Sequence, residues 1–354
     1  MEKLLENENI LIDGENTILL ALERLDASGM QILFWIEKRK LIACLTDGDI
    51  RKALLAGYSL DTEVKHICNY NPVCLEEGFK IDVKRMIDEQ GLRAVPIVNK
   101  DREVVKIVFP SQRITLNEKF SEDIPVVMMA GGLGTRLFPY TKIIPKPLIP
   151  VADIPISERI INRFCEYGCK NFYMIVNYKK QMIKAYYNEL EKNYMLTFVD
   201  EDAPLGTGGG LSLVSHLLED TFILTNCDIL IRDNLVDAYN YHKKEGNLAT
   251  MICSLKNYKI PYGVIEFGRN GQIKSMKEKP NMAFYTNTGC YIIEPKVFEF
   301  VPPNTMVGMP EVLENVMKKG CKVGAYPISE NSWLDMGEMD TFELMTRELE
   351  KNED

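Results

Sequence analysis

Histidine is scarce in this chain of 354 residues, with three in all, His66, His216 and His242, far apart in the sequence. A His-rich metal site or a Ser-His-Asp hydrolytic triad therefore has little to draw on. The nine cysteines contain no Cys-x-x-Cys pair, and only Cys165 and Cys169 fall at helical spacing. Such scattered thiols read as reduced side chains packed as small hydrophobes in a cytosolic protein. No run of about 18 apolar residues occurs, so no spanning helix is expected. The opening MEKLLENENILIDGE is acidic and lacks the apolar core of a signal peptide. A cytoplasmic location without a membrane partner follows. Positive charge is also in deficit: 42 Lys and Arg against 51 Asp and Glu give a net charge of −9. Nucleic acid would need a basic face and is excluded as a partner. A phosphate ligand is not, because a few local cations suffice to hold one.

The length suggests two or three domains. A weak internal repeat occupies the first third. With Gly29 laid over Gly91, an offset of 62, GMQILFWIEKRKLIACLTDGDI aligns with GLRAVPIVNKDREVVKIVFPSQ. Each copy reads as helix, strand, charged turn, strand and the start of another helix. The first helix, over 17–27, places Ile18, Leu19, Leu22 and Leu25 at helical spacing. Strands are predicted over 32–36 and 41–45, and over 94–98 and 104–108. The resulting division is 1–62 and 63–118 for the two copies, a polar linker at 119–124, and a larger domain over 125–354.

The repeat resembles a tandem pair of cystathionine-β-synthase (CBS) domains, α+β modules that bind adenine nucleotides in the cleft between them. Its Thr-x-x-Asp pattern is met by Thr46 and Asp49, where a hydroxyl at a helix start can contact phosphate and a carboxylate can accept from a ribose diol. The second copy departs from the pattern, with Phe109 and Gln112 at the matching places. The resemblance implies a regulatory adenine nucleotide at the first copy and a homo-oligomer formed through the pair. The alternative is that TDGD simply caps a helix.

Beyond the linker the pattern changes. A buried strand over 126–129 runs into Gly131, Gly132 and Gly134, followed by Arg136 and Lys146 in a loop stiffened by Pro139, Pro145 and Pro147. Glycines without a Cβ let backbone N–H groups turn toward an anion, and the cations suit a triphosphate. This is not a P-loop, because no Gly-Lys-Ser/Thr occurs. Nor is it a dinucleotide fingerprint, because position 137 is Leu. Short apolar strands (126–129, 171–176, 222–225) alternate with helices (158–167, 180–190). That alternation predicts a three-layer, Rossmann-like α/β domain with a mostly parallel sheet and the Gly-rich loop at a strand C-terminus.

The stretch G-G-x-G-T-R-L-x-P-x-T-x-x-x-P-K-P-L resembles the signature of the nucleotide-sugar pyrophosphorylases, the sugar-1-phosphate nucleotidyltransferases. Further elements follow in that family's order: EDAPLGTGG from Glu201, TNCD ending at Asp228, EKP from Glu278, NTGCY from Asn287 and WLDMG from Trp333. The resemblance implies roles. Ala130, Gly131, Gly132, Gly134 and Thr135 would cradle the triphosphate. Arg136 would hold the β/γ-phosphates and leaving pyrophosphate, and Lys146 would neutralise the α-phosphate or the leaving group. Glu201 and Gly206 would read base or sugar. Tyr262, Gly263, Glu278 and Asn287 would line the sugar, and Lys279 would hold its phosphate. Asp228 and Asp335 would bind Mg2+, a hard cation that wants oxygen ligands. They lie 335 − 228 = 107 residues apart, so only the fold can bring them together.

A sugar-phosphate oxygen attacks the α-phosphorus and pyrophosphate leaves, in line. Both reactants are anions, so alignment and charge neutralisation are what the catalyst must supply. The form E-x-x-P-L-G-T is similar to mannose-1-phosphate guanylyltransferases and favours GTP, with a uridylyl- or thymidylyltransferase as the alternative. Glucosamine 1-phosphate and mannose 1-phosphate both suit as acceptor, as in enzymes of bacterial surface-sugar pathways. A catalytically silent regulatory relative would be expected to lose Arg136, Lys146, Asp228 or Asp335, and all four are present. The short stretch after WLDMG leaves no room for the β-helix of a bifunctional acetyltransferase.

Overall fold

The computed structural model describes residues 8–78, 83, 86–87, 92–109, 118–337 and 339–350. Near the N-terminus, β1 (Leu11–Ile12) is followed by α1 (Ile18–Ser28). The Thr17 side chain accepts the Leu20 N–H at the start of α1, and Gly29 ends it in the left-handed region. Ile18, Ala21 and Leu25 form its buried stripe. Strands β2 (Ile32–Glu37) and β3 (Lys40–Thr46) make an antiparallel pair, β1 adds in parallel to β2, and α2 (Asp47–Leu55) follows. The strands of the second copy repeat the pairing of the first. β4 (Leu75–Glu76) runs parallel to β5 (Val95–Val98), which pairs antiparallel with β6 (Val104–Val108).

The internal repeat extends to an irregularity. The β2–β3 register slips between Trp35 and Ile36, and the β5–β6 register slips between Ile97 and Val98. Trp35 and Ile97 are 97 − 35 = 62 residues apart, the offset read from the sequence. The two copies share one core, in which Ile32, Phe34 and Leu41 of the first meet Ala94, Val98 and Val104 of the second. Gly91 and Gln112 lie outside the described residues.

The longer part begins with β7 (Val126–Ala130). A hairpin, β8 (Pro150–Val151) and β9 (Ile154–Pro155), leads to α3 (Ile156–Glu166). Then come β10 (Asn171–Val176), α4 (Lys180–Glu189), β11 (Met195–Asp200), β12 (Phe222–Asn226), β13 (Ile229–Ile231) and α5 (Leu235–Glu245). The long strands β14 (Ala249–Lys259) and β17 (Asn281–Ile293) flank a ribbon of β15 (Val264–Phe267) and β16 (Ile273–Lys277). α6 (Met309–Lys318), β18 (Val323–Ile328), β19 (Trp333–Asp335) and α7 (Met339–Glu350) complete the chain order.

Seven strands form one sheet in the order β11-β10-β7-β12-β17-β14-β18. β11, β10, β7 and β12 are mutually parallel and β14 is parallel to β18, while β17 is antiparallel to β12. Alternate residues of β7 feed opposite faces. Val126, Met128 and Ala130 join a core with Ile160 and Phe164 of α3, whereas Val127 joins a second core with Leu211, Val214, Val312 and Val316. A sheet with apolar residues on both faces needs cover on both, hence the three layers.

By contacts the chain forms two compact units. One comprises Met1–Leu116, Leu255–Phe284 and Ser329–Asn331; the other comprises Asn117–Ser254, Tyr285–Ile328 and Ser332–Asp354. Among the described residues no helix is long and apolar enough to cross a membrane. All nine cysteines are free, and five of them are buried. Burial pushes the thiols of Cys44 and Cys227 up to about 11 and about 12, as suits inert packing groups.

Candidate active site

The site is built where parallel strands end, the usual place in an open α/β sheet. β7 delivers Ala130 directly into the Gly-rich loop. Gly132 faces open space, while the positions a side chain would take at Gly131 and Gly134 belong to the Glu201 carboxylate and to Thr141. Gly134 is left-handed, with φ 64°, and its carbonyl accepts the hydroxyl of the fully buried Thr141 at 2.8 Å. The loop is thus fastened from behind and open at Gly132. Thr135 and Arg136 follow in a short 3-10 turn, both exposed.

Lys146 opens another 3-10 turn between Pro145 and Pro147. That turn is anchored by Ser157, whose hydroxyl donates to the Pro147 carbonyl at 2.7 Å. Lys146 is buried, and its ammonium meets the Asp228 carboxylate.

The 107-residue separation of the two aspartates closes through a two-stranded sheet. β13 and β19 are antiparallel with Ile229 opposite Asp335, and the Met336 N–H donates to the Asp228 carbonyl at 2.9 Å. Asp228, one residue before Ile229, therefore lies beside Asp335. Burial, and then the negative charge of Asp228, raises the Asp335 carboxyl above its ordinary range; Lys146 and Arg136 act in the opposite direction. Two crowded carboxylates in one cleft are a donor set that fits Mg2+, which is typically held by one or two carboxylates with substrate phosphates and water. Among the described residues no group of three or more His, Cys, Asp or Glu is placed to hold a metal.

A cleft of about 250 Å³ is lined by Arg136, Asp228, Asn287 and Asp335 among the sequence-predicted residues. It is also lined by Thr207, Asn226, Thr288, Gly289, Tyr291, Pro310 and Trp333. Asn226 is the second residue of the TNCD element and Trp333 the first of WLDMG, so the motifs carried their signal although no role was attached to them. Pro310 carried none. It arrives because the Thr207 hydroxyl accepts the Met309 N–H at 3.0 Å, tying the start of α6 to the turn after Glu201.

Glu201 is buried, only 6% exposed. Its Oε1 accepts the Leu205 N–H at 2.9 Å. Gly206 is left-handed, with φ 74°, and a Cβ there would come within 2.6 Å of the Val307 carbonyl oxygen, so close backbone packing sets this glycine. The Asn287 amide works internally, with Oδ1 accepting the Gly289 N–H at 2.9 Å and Nδ2 donating to the Tyr291 hydroxyl at 2.5 Å.

Tyr262, Gly263, Glu278 and Lys279 belong to the other compact unit. There they sit together at the base of the β15–β16 ribbon. The register sets Val264 opposite Lys277, and the Glu278 carboxylate lies 3.0 Å from where a Cβ of Gly263 would be. Tyr262 is 75% exposed, not packed, and Lys279 is left-handed at φ 44°.

Thr46 and Asp49 form a capping box on α2. The Thr46 hydroxyl accepts the Asp49 N–H at 3.1 Å, and Asp49 Oδ2 accepts the Thr46 N–H at 3.0 Å and its hydroxyl at 2.7 Å. The capping alternative is present in the structure, with Thr46 as the N-cap and Asp47 and Asp49 in the first turn of α2.

A family model described as nucleotidyl transferase matches residues 125–352. The chain belongs to the nucleotidyl transferase family. Mannose-1-phosphate guanylyltransferase catalytic subunit beta of Dictyostelium discoideum is 29% identical over 61% of this chain and 62% of its own length. Mannose-1-phosphate guanylyltransferase of Mycobacterium tuberculosis is 28% identical over 63% of each. UTP–glucose-1-phosphate uridylyltransferase of Synechocystis is 30% identical over 50% of each. The chain thus spans less than two thirds of the length of these curated relatives. Among solved structures, a putative glucose-1-phosphate thymidylyltransferase from Bacillus anthracis superposes with a TM-score of 0.51 at 19% identity, over 63% of this chain and 94% of that one. HddC from Yersinia pseudotuberculosis gives 0.51 at 22%, over 64% and 99%. Both share the fold of this nucleotidyl transferase.

Proposed function

We propose that this nucleotidyl transferase moves a nucleoside monophosphate from a triphosphate to a sugar 1-phosphate, releasing pyrophosphate. The observation that carries the reading is the placement of Asp228 and Asp335 side by side in the 250 Å³ cleft, with Lys146 against one of them and Arg136 on the rim. Mg2+ held by the two aspartates would neutralise charge on the α-phosphate as it is attacked. The Gly-rich loop orients the triphosphate through backbone N–H groups. Lys146 supplies positive charge in a buried place where it acts strongly, and Arg136 receives the leaving pyrophosphate. Lys279, in the other compact unit with Tyr262, Gly263 and Glu278, is the residue that the family resemblance assigns to the sugar phosphate. No covalent intermediate is required.

GTP is the preferred donor, and mannose 1-phosphate or glucosamine 1-phosphate the preferred acceptor. The guanylyltransferases among the relatives and the buried acceptor Glu201 support this choice, because guanine presents N–H donors to a carboxylate. The uridylyltransferase relative keeps uridylyl and thymidylyl transfer as the alternative. An adenine nucleotide at the first N-terminal copy would engage Thr46 and Asp49 alongside their mutual hydrogen bonds, through acceptor sites such as Asp49 Oδ1 that the capping box does not use. The test is a panel of nucleoside triphosphates crossed with sugar 1-phosphates in Mg2+, read by pyrophosphate release. GTP with one of the two hexose phosphates is expected to react fastest, and silence from every pair would overturn the reading.

A further inference from the structure

Lys179 breaks three local preferences at once. It is the N-cap of α4, yet its side chain makes no capping bond, its backbone is left-handed at φ 51°, and it brings positive charge to the positive end of the helix. No acidic residue stands in the first turn to offset that charge. The left-handed region is taken cheaply by glycine and, after it, by asparagine and aspartate, not by lysine. Where local preferences are overruled in this way, a functional demand is the first explanation to test. The neighbouring lysines have an ordinary one, since Lys180 and Lys184 pair with Asp200 at 3.3 and 2.6 Å.

Lys179 turns instead to the Gly-rich loop. Its ammonium donates to the carbonyls of Lys142 and Ile143 at 2.7 and 2.8 Å. The residue before it grips the loop at two further points. The Tyr178 N–H donates to the Gly131 carbonyl at 3.4 Å, and the Tyr178 hydroxyl donates to the Thr141 carbonyl at 3.2 Å. Thr141 in turn holds the Gly134 carbonyl. Between β7 and Lys146 the chain has no strand or α-helix, only short 3-10 turns. Its shape therefore depends on bonds from outside, and two consecutive residues after β10 supply them at the start of the loop and on its far side.

We propose that Lys179 is a positioning residue that presets the Gly-rich loop for the triphosphate, a role that rests on the nucleotidyl transfer proposed for this cleft. It acts through the loop carbonyls rather than by touching the reacting atoms. A cation shared between two carbonyls makes charge-assisted hydrogen bonds, stronger than neutral ones. A loop already held in its binding shape loses little conformational freedom when the triphosphate arrives, and that saving appears as affinity. The strained backbone of Lys179 is maintained because its ammonium is needed at residues 142 and 143.

The test is steady-state kinetics of the full chain in Mg2+, with GTP and UTP as donors and mannose 1-phosphate and glucosamine 1-phosphate as acceptors. Lys179→Met keeps the aliphatic stem and removes the donors. Lys179→Gly also removes them but takes the left-handed backbone freely, so it should melt within a few degrees of the wild type. Both variants are expected to raise KM for the triphosphate about tenfold, the scale of losing hydrogen bonds from a charged donor, with KM for the sugar 1-phosphate unchanged. Lys179→Arg keeps donors for the two carbonyls and should recover part of the loss. A mere loss of folded protein would lower kcat and leave both KM values as they are. Hydrogen exchange over residues 131–146 should quicken in the Met and Gly variants while β7 and β10 stay protected. A wild type silent with every triphosphate overturns the transfer reading, whereas an active wild type whose variants keep its triphosphate KM overturns the proposal. Unchanged exchange over the loop in both variants overturns it as well, with or without turnover.

Discussion

The ammonium of Lys146 rests on the carboxylate of Asp228, which in turn lies beside Asp335 through the pairing of Ile229 with Asp335. In this arrangement the lysine offsets one of two negative charges that would otherwise repel each other in a buried cleft. Metal and substrate phosphates arriving there would free the lysine for the α-phosphate.

Asp228→Asn and Asp335→Asn should each lower kcat by about 100-fold or more, the scale of losing one positioned charge in a transition state. The double variant should be little worse than either alone, because the two act as a unit. Chelation with EDTA should abolish turnover, and added Mg2+ should restore it. Both single variants should keep the wild-type circular dichroism spectrum. Near-normal turnover in either would remove its carboxylate from the metal site.

The capping box on α2 makes a separate prediction. Thr46→Ala or Asp49→Ala should cost about 1 kcal/mol of stability, the usual worth of an N-cap. The pair should cost less than the sum, because each side chain bonds the other. Basal pyrophosphate release should not change in either variant. Calorimetric titration with AMP then separates two roles: heat in the wild type that is lost in Asp49→Ala means the box also contacts nucleotide.

Much of this was legible in the residues, and the exceptions have physical causes. Periodicity located α1, β2 and β3 to within a residue or two, and in the structure Thr17 and Gly29 punctuate that helix by local chemistry. The Gly-rich loop was legible as a strand-to-loop transition. What Gly131 and Gly134 are for was not, since Glu201 and Thr141 reach them from distant or looped-back segments. Asp228 and Asp335 could be named but not joined, because the β13–β19 pairing is a tertiary event with no local signature. Pro310 was invisible for the same reason.

Stability should depend on His242 in a particular direction. The ring is fully buried, with Nδ1 at 2.9 Å from the Thr250 hydroxyl and Nε2 at 3.2 Å from Glu294. Burial holds its pKa below the ordinary 6.5, against the opposing pull of Glu294. As the pH falls below 6.5 the unfolded chain takes up a proton that the folded chain refuses. Stability is therefore lost as the pH drops through 6.5 toward the folded pKa, by at most about 1.4 kcal/mol per pH unit from this group. His242→Gln should lack that component. Urea midpoints at pH 7.5 and 5.5, compared between wild type and variant, check it; equal losses in both would exclude His242 as the source.

Glu201 offers the sharpest test of donor choice. Gln keeps the shape of the side chain and an acceptor for the Leu205 N–H, so Glu201→Gln should melt within a few degrees of the wild type. It removes the negative charge and turns one acceptor into a donor. If the carboxylate receives guanine N–H groups, kcat/KM for GTP should fall by about 10- to 100-fold, the worth of a good hydrogen-bonded base contact, while UTP changes little. If Glu201 serves only to hold the turn from 201 to 205, both donors should respond alike. The ratio of kcat/KM for the two triphosphates distinguishes the cases without reference to absolute activity, since a loss of folded or active enzyme would scale both values together.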